Sequence, residues 1–292
     1  MPTNSITLLP DRGVVRISGG DALTLLDGLL TNSLGRRAEQ PAIHTGLLAP
    51  QGKILFDFYL VAAADGYLVD IERTRIDDFI KRLSFYRLRA DVQFENLSES
   101  MSVAVLWPDA TSLPGGIIAY PDPRNPALGQ RLILAAERLG EIPAESATID
   151  AYHEHRITVG VPEAGLDYPV TDTFPHEALY DQLHSIDFKK GCFIGQEVVS
   201  RMQHRGTARK RAIRISGDAP LDAGATIEAG EATIGVVGSA RATSGIAMLR
   251  LDRASEAAAK GIPLRADGVT VTVDPPEWIA FDPASGKPAV ES

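Results

Sequence analysis

Lys189-Lys190-Gly191-Cys192-Phe193-Ile194-Gly195-Gln196-Glu197, continuing through Val198-Val199-Ser200-Arg201-Met202, is the stretch from which the rest of the chain is read. It holds the single cysteine of the protein. Two lysines precede the thiol. Gly191 and Gly195 frame it with backbone that can adopt φ > 0 and approach a ligand closely. From Gln196 onward, apolar and polar residues mix at helix-compatible spacing, so the stretch reads as a glycine turn feeding a helix. Cys192 is thereby expected near a helix N-terminus and beside positive charge, two features that favour the thiolate. Without that setting, a lone cysteine is ordinarily a small buried hydrophobe.

Composition sets the outer bounds. A chain of 292 residues suggests two domains, and 44% hydrophobic with 23% charged residues is the balance of a soluble globular protein. No apolar run approaches the roughly 20 residues that span a bilayer, so no membrane partner is expected. Ile6–Pro10 is too short and too broken for a signal-peptide core. One cysteine excludes an internal disulfide and an all-cysteine cluster site; it fits a reducing cytosol, and a cytoplasmic location is expected. A net charge of −9 argues against nucleic-acid binding over the whole surface, and direct binding of that kind is not favoured.

Residues 14–17 read as a strand, followed by a helix capped by Asp21, with Ala22, Leu25, Leu26 and Leu29 on one apolar face and its end near Thr31-Asn32. The spacing Gly46…Gly52-Lys53 is no phosphate loop: it has one residue too many, contains Pro50, and continues with Ile54 where Ser or Thr is needed. It reads as a turn, Pro50 to Lys53, into the strand Ile54 to Val61 and a tight Asp65-Gly66 hairpin into Tyr67 to Ile71. Along that first strand Ile54, Phe56 and Phe58 alternate with Leu55, Asp57 and Tyr59. A carboxylate disfavours a strand, so Asp57 either faces solvent or serves a site. Arg75 to Leu88 is a second amphipathic helix with Ile76, Phe79, Ile80 and Leu83 inward, its charges a solvated face. Strands follow at 91–96, 102–107, 116–120 and 131–135.

The helix expected over Ile149 to Thr158 carries His153 and His155. Two residues apart on a helix, they point away from each other and cannot chelate one ion. His176 and Glu177 lack metal spacing as well, and no zinc, P-loop or Rossmann signature occurs. Arg201, His204, Arg205, Arg209, Lys210 and Arg211 form a basic run, either a solvated face or an anion site. From Arg211 short β-type segments alternate with Gly, Asp and Ala turns, the spacing of a small antiparallel barrel. Residues 281–292 read as a loose tail.

Lys-Gly-Cys-Phe-Ile-Gly-Gln-Glu resembles the signature of the YgfZ family of folate-binding proteins. These are similar to the aminomethyltransferase (T-protein) of the glycine cleavage system. The pattern Gly19-Gly20-Asp21-Ala22 with Thr31-Asn32, the Lys81-Arg82-Leu83…Tyr86…Leu88-Arg89…Val92 string and the Asp167–Ala178 loop also resemble that superfamily. The resemblance covers about residues 12 to 275. It implies an α+β fold: an aminomethyltransferase-like folate-binding body over 1–205, in one or two subdomains, and a C-terminal β-barrel over 206–280. It further implies tetrahydrofolate, or a one-carbon folate derivative, as cofactor, and a role in iron–sulfur cluster assembly or repair. Through that role it implies support of tRNA methylthiolation, with iron–sulfur client enzymes such as a tRNA methylthiolase as partners.

On that resemblance Cys192 is the acting thiol, Lys190 favours its thiolate, and Asp57 holds folate, as a comparable aspartate does in the aminomethyltransferases. Asn32, Gln196, Glu197, Arg201 and Arg205 complete the expected folate contacts, the arginines holding the glutamate tail. Whether the thiol attacks a one-carbon unit, carries sulfur or touches a cluster stays open. Thr158 stands where the aminomethyltransferases place a pterin-reading glutamate, and a hydroxyl cannot give the paired contacts of a carboxylate. A folate-dependent aminomethyl- or methyltransferase and a non-catalytic adaptor for iron–sulfur clients are the alternatives.

Overall fold

The computed structural model describes residues 4–35, 40–109, 111–206 and 208–284. Contacts divide the chain into two compact units, each assembled from segments distant in sequence. Met1–Leu48, Leu55–Tyr152 and His184–Ile194 make the first; Ala49–Ile54, His153–Leu183 and Gly195–Ser292 make the second.

The first unit is built on two five-stranded sheets. One runs in the order Ala42–Leu48, Ile54–Ala63, Gly66–Glu72, Arg12–Ser18, Gln93–Asn96; the other runs Glu145–Ser146, Ser5–Leu8, Ser102–Trp107, Gln130–Leu134, Ile118–Pro121. Helices α1 (Ala22–Leu29) and α2 (Ile76–Arg87) lie against one face of the first sheet. There Leu26, Phe56, Phe58, Val69, Phe79 and Leu83 form one core. Tyr59 and Val61, on the opposite face, pack with Val103, Tyr120 and Ile133 of the second sheet. The strand Ile54–Ala63 is therefore buried on both sides, and the alternation read in its sequence marks two cores rather than core and solvent. Asp57 is accordingly buried, not solvated. Two local readings also shift. The hairpin turn is Ala64-Asp65, with Gly66 already paired to Ala63. Asp21 does not cap α1: its carboxylate accepts from the Asp91 N–H across the loop at 2.8 Å.

A charge cluster sits between the sheets of this unit. Asp70, fully buried, accepts from Arg12 Nε at 2.7 Å, Arg131 Nε at 2.8 Å and Tyr120 Oη at 3.1 Å. Burial pushes its pKa up, but the two guanidiniums outweigh that and hold the carboxyl below its ordinary value. The Arg131 guanidinium lies 4.1 Å from the Tyr59 ring centroid.

The second unit contains the last two turns of α3 (Ile149–Val159), helix α4 (Gln196–Arg205) and a closed barrel. The barrel strands follow in the order Lys210–Gly217, Ser244–Arg250, Ala232–Arg241, Thr226–Ala229, Leu264–Ala266, Val269–Val273, and every pairing is antiparallel. The fold is thus α+β with a small antiparallel barrel, as expected. One element was not expected: α5 (Leu251–Ala259), which buries Leu251, Ala254 and Ala257. Of the expected tail, Phe281 is buried beneath the Arg211 guanidinium, 4.2 Å from its ring centroid. Residues 285–292 of that tail lie outside the described residues.

Candidate functional site

Asn32, Asp57, Lys190 and Cys192 belong to the first unit, and the structure joins three of them in one hydrogen-bonded network. Asp57 Oδ1 lies 3.2 Å from His44 Nε2, and His44 Nδ1 lies 2.6 Å from Ser185 Oγ. All three side chains are buried. Asn32 donates both amide hydrogens to backbone, one to the His44 carbonyl at 3.0 Å and one to the His184 carbonyl at 2.7 Å; its Oδ1 accepts from Ser33 N–H. Thr31 Oγ1 donates to the Ser185 carbonyl at 2.8 Å and lies 3.1 Å from Thr45 Oγ1. The Asp187 N–H closes the lattice on the Thr31 carbonyl. The segment preceding the cysteine is in this way sewn to the end of α1 and to the strand Ala42–Leu48.

Lys190 completes the seam. Its ammonium donates to the carbonyls of Asp27 (2.7 Å), Leu30 (2.7 Å) and Asn32 (2.9 Å), with the Asp27 carboxylate at 3.8 Å. All three protons are used at the C-terminal end of α1, where helix carbonyls lack partners and cations are favoured. Burial lowers the pKa of this lysine, and Asp27 and Asp187 offset part of that. Lys190 is a helix cap and a rivet. The Asn32 amide holds two backbone carbonyls, while the residue also walls a cleft of the first unit.

Cys192 itself is exposed. It stands between Lys190 and Phe193, both buried, with Ile194 packed on the α1–α2 core. Gly195 takes the left-handed region at φ 79 and α4 begins at Gln196, as the glycine-turn reading expects. Gly191 does not share this: its φ is not positive, and a Cβ there would meet nothing.

Gln196, Glu197, Arg201 and Arg205 lie on α4, in the second unit. Arg201 pairs with Glu197 one turn away at 2.7 Å, on the exposed surface. The basic run divides at this point. Arg211 is buried against Asp181 (2.9 Å) and the His176 carbonyl (3.0 Å), and so belongs to the core. Lys210 lies 4.0 Å from Glu177. Thr158 donates its hydroxyl to the Glu154 carbonyl of its own helix at 2.9 Å. No group of three metal-ligating side chains occurs among the described residues.

Two clefts bear on ligand binding, one in each unit. The first unit has a cleft of about 380 Å³ walled by Asn32, Gln40, Pro121, Asp122, Pro126 and His184. The second has one of about 940 Å³ along the barrel strand Ala232–Arg241, with Tyr168, Lys210 and Val236 on its walls. Neither is lined by Asp57 or Cys192. His44, Ser185 and His184 escaped the reading of the sequence because no spacing links them: residues more than a hundred positions apart converge only through the fold.

Known proteins agree with this geometry at three levels. The profile of the CAF17 C-terminal beta-barrel domain family matches residues 209–281, the barrel. The solved aminomethyltransferase T of the glycine cleavage system from Bartonella henselae superposes with a TM-score of 0.73 over 98% of this chain and 88% of its own, at 16% identity, which shows the fold. The human iron–sulfur cluster assembly factor IBA57 is 31% identical over 270 residues, 82% of this chain and 76% of the human one. The chain belongs to the IBA57 family of iron–sulfur cluster assembly factors. An IBA57 homologue of Mycosarcoma maydis is 34% identical over 231 residues, 73% of this chain. That match covers 57% of the fungal protein, and the one in Coccidioides immitis covers 55%, so this chain spans little more than half the length of those IBA57 relatives. The fungal, mouse and human IBA57 proteins are all named as mitochondrial, which overturns the expected cytoplasmic location. Composition could not separate the two, because a single reduced cysteine suits any reducing compartment.

Proposed function

We propose that this chain is a tetrahydrofolate-binding factor of the YgfZ type, working in iron–sulfur cluster assembly or repair through the exposed Cys192 thiol. Its clients are iron–sulfur enzymes, a tRNA methylthiolase among them, so that tRNA modification depends on it. One observation carries the reading. The only sulfur nucleophile of the chain is exposed on a short segment whose flanking residues are anchored by the Lys190 cap and by Phe193 in the core. A structural cysteine would be buried, whereas an exposed thiol on a fixed base can reach a cluster, a sulfur donor or a partner.

The folate part rests on the likeness to aminomethyltransferases and on Asp57. The buried Asp57 carboxylate, oriented by His44, is the kind of acceptor that a pterin N–H edge requires. The fit is partial. Thr158, at the sequence position where the aminomethyltransferases carry a pterin-reading glutamate, spends its hydroxyl on its own helix and offers no carboxylate. That difference favours binding over aminomethyl transfer. Calorimetric titration of tetrahydrofolate into the chain and into Asp57→Asn tests it: saturable binding weakened at least about tenfold by the exchange is expected. Absence of binding by the unaltered chain removes folate from the account.

A further inference from the structure

We infer that the exposed end of α2 is a docking knob for an anionic phospholipid surface. Two large apolar side chains project there. Phe85 is 67% exposed and Leu88 is 86% exposed, while Ile76, Phe79 and Leu83 fill the buried side of the same helix. Leu88 has φ 48, a backbone region that a branched side chain disfavours. A bulky apolar residue thus stands at a strained position with almost nothing of its own chain against it.

Cations surround this pair. Lys81 and Arg82 precede Phe85 by four and three residues and so share its side of the helix; Arg87 ends the helix between Phe85 and Leu88 in sequence, and Arg89 follows Leu88 just beyond it. All four are exposed. No acidic residue occurs between Asp78 and Asp91 in a chain of net charge −9. None of the ion pairs among the described residues engages these four, and Asp77 and Asp78, one turn before Lys81 and Arg82, pair with neither. The charge calls for an anionic occupant.

The shape selects among anions. The apolar pair projects from the helix end and lines neither of the two clefts described above, whereas a folded protein would have to offer a matching hollow. Single-stranded RNA would stack on Phe85 and have no use for Leu88. The headgroup layer of a bilayer yields around projecting apolar groups, and lysine and arginine stems reach its phosphates. Among the described residues no helix is long and apolar enough to cross a membrane, and a peripheral contact needs none; the expectation of no membrane partner rested on spanning alone.

Vesicle flotation of the whole chain tests this, using phosphatidylcholine alone and phosphatidylcholine mixed with phosphatidylserine. Binding is expected only to the mixed vesicles, weakening as salt rises. It should fall at least about tenfold in Phe85→Ala/Leu88→Ala and in Lys81→Glu/Arg82→Glu. Arg253→Glu/Arg265→Glu, the same change of net charge at exposed positions of α5 and of a barrel strand, should bind as the unaltered chain does. Unchanged melting temperatures establish that all three variants are folded. Indifference of the unaltered chain to phosphatidylserine, full binding by both α2 variants, or equal loss in the barrel variant overturns the inference. Self-association or binding of an acidic protein that is lost in the α2 variants, with vesicles ignored, overturns it in favour of a protein partner.

Discussion

Two residues show how far side-chain type constrains role. Lys190 draws notice in the sequence because it precedes the cysteine, yet its ammonium spends all three protons on carbonyls at and just past the end of α1. Lys190→Ala leaves those carbonyls unsatisfied and should cost about 2–3 kcal/mol, read as a fall in denaturation midpoint. Its effect on any activity of Cys192 should then be no larger than lost stability explains. His176 is the second case. Burial is the main cause holding its imidazole below the ordinary 6.5, with Asp181 and the Gln203 hydrogen bond opposing and Arg211 assisting. As pH falls from 6.5, the unfolded chain takes up the proton first. The contribution of His176 is therefore complete above 6.5, declines below it, and levels off once pH is under the native value, with a slope of up to about 1.4 kcal/mol per pH unit. Melting curves between neutral and mildly acid pH should show that decline, and His176→Gln should flatten it. Neither role is legible in the sequence, because both depend on which carbonyls and charges the fold brings within hydrogen-bonding distance.

Helices and strands were more readable than their partners. The apolar spacing of Ala22, Leu26 and Leu29 and of Ile76, Phe79 and Leu83 locates α1 and α2, since packing against a sheet needs one apolar stripe. The strand Ile54–Ala63 was legible as a strand, but not as one buried on both faces: the second sheet covers Tyr59, and Asp57 is buried beside His44 of the neighbouring strand. Helix α5 was missed because Leu251 continues a β-type run and the alanines after it carry little periodic contrast. The turn Pro50 to Lys53 was placed correctly, and its glycine has a packing consequence. Gly52 has φ 81, and a Cβ there would come within 2.8 Å of Val198 Cβ on α4, inside the same unit. Gly52→Val should cost about 2–4 kcal/mol through backbone strain and overpacking against the first turn of that helix. A chain that tolerated this exchange without loss of melting temperature would contradict the placement of α4.

At the scale of the molecule, the superfamily resemblance in the Lys190–Glu197 motif led to the α+β body and barrel, and the likeness to an aminomethyltransferase shows that fold. Less legible was the interleaving of the units. Residues 153–183 group with the barrel: Arg156 donates to Ser239 Oγ at 2.7 Å, Ala212 N–H donates to the Glu177 carbonyl at 2.8 Å, and Arg211 pairs with Asp181. A chain ending at Gly206 loses all three contacts and leaves the Arg156–Asp167 pair, buried in the whole chain, without its barrel wall. Such a chain should fail to show a cooperative melt, measured by near-ultraviolet circular dichroism; a native-like transition would contradict the division. Under the function proposed above, iron–sulfur assembly is the setting, and the exposed thiol is what acts there. The most direct measurement replaces the protein in its own cells by Cys192→Ser and follows the specific activity of an iron–sulfur enzyme, with the melting temperature of the purified variant recorded beside it. The prediction is an unchanged melting temperature with enzyme activity reduced at least about tenfold, the loss of a group that contacts the reacting species; full enzyme activity in those cells would contradict it.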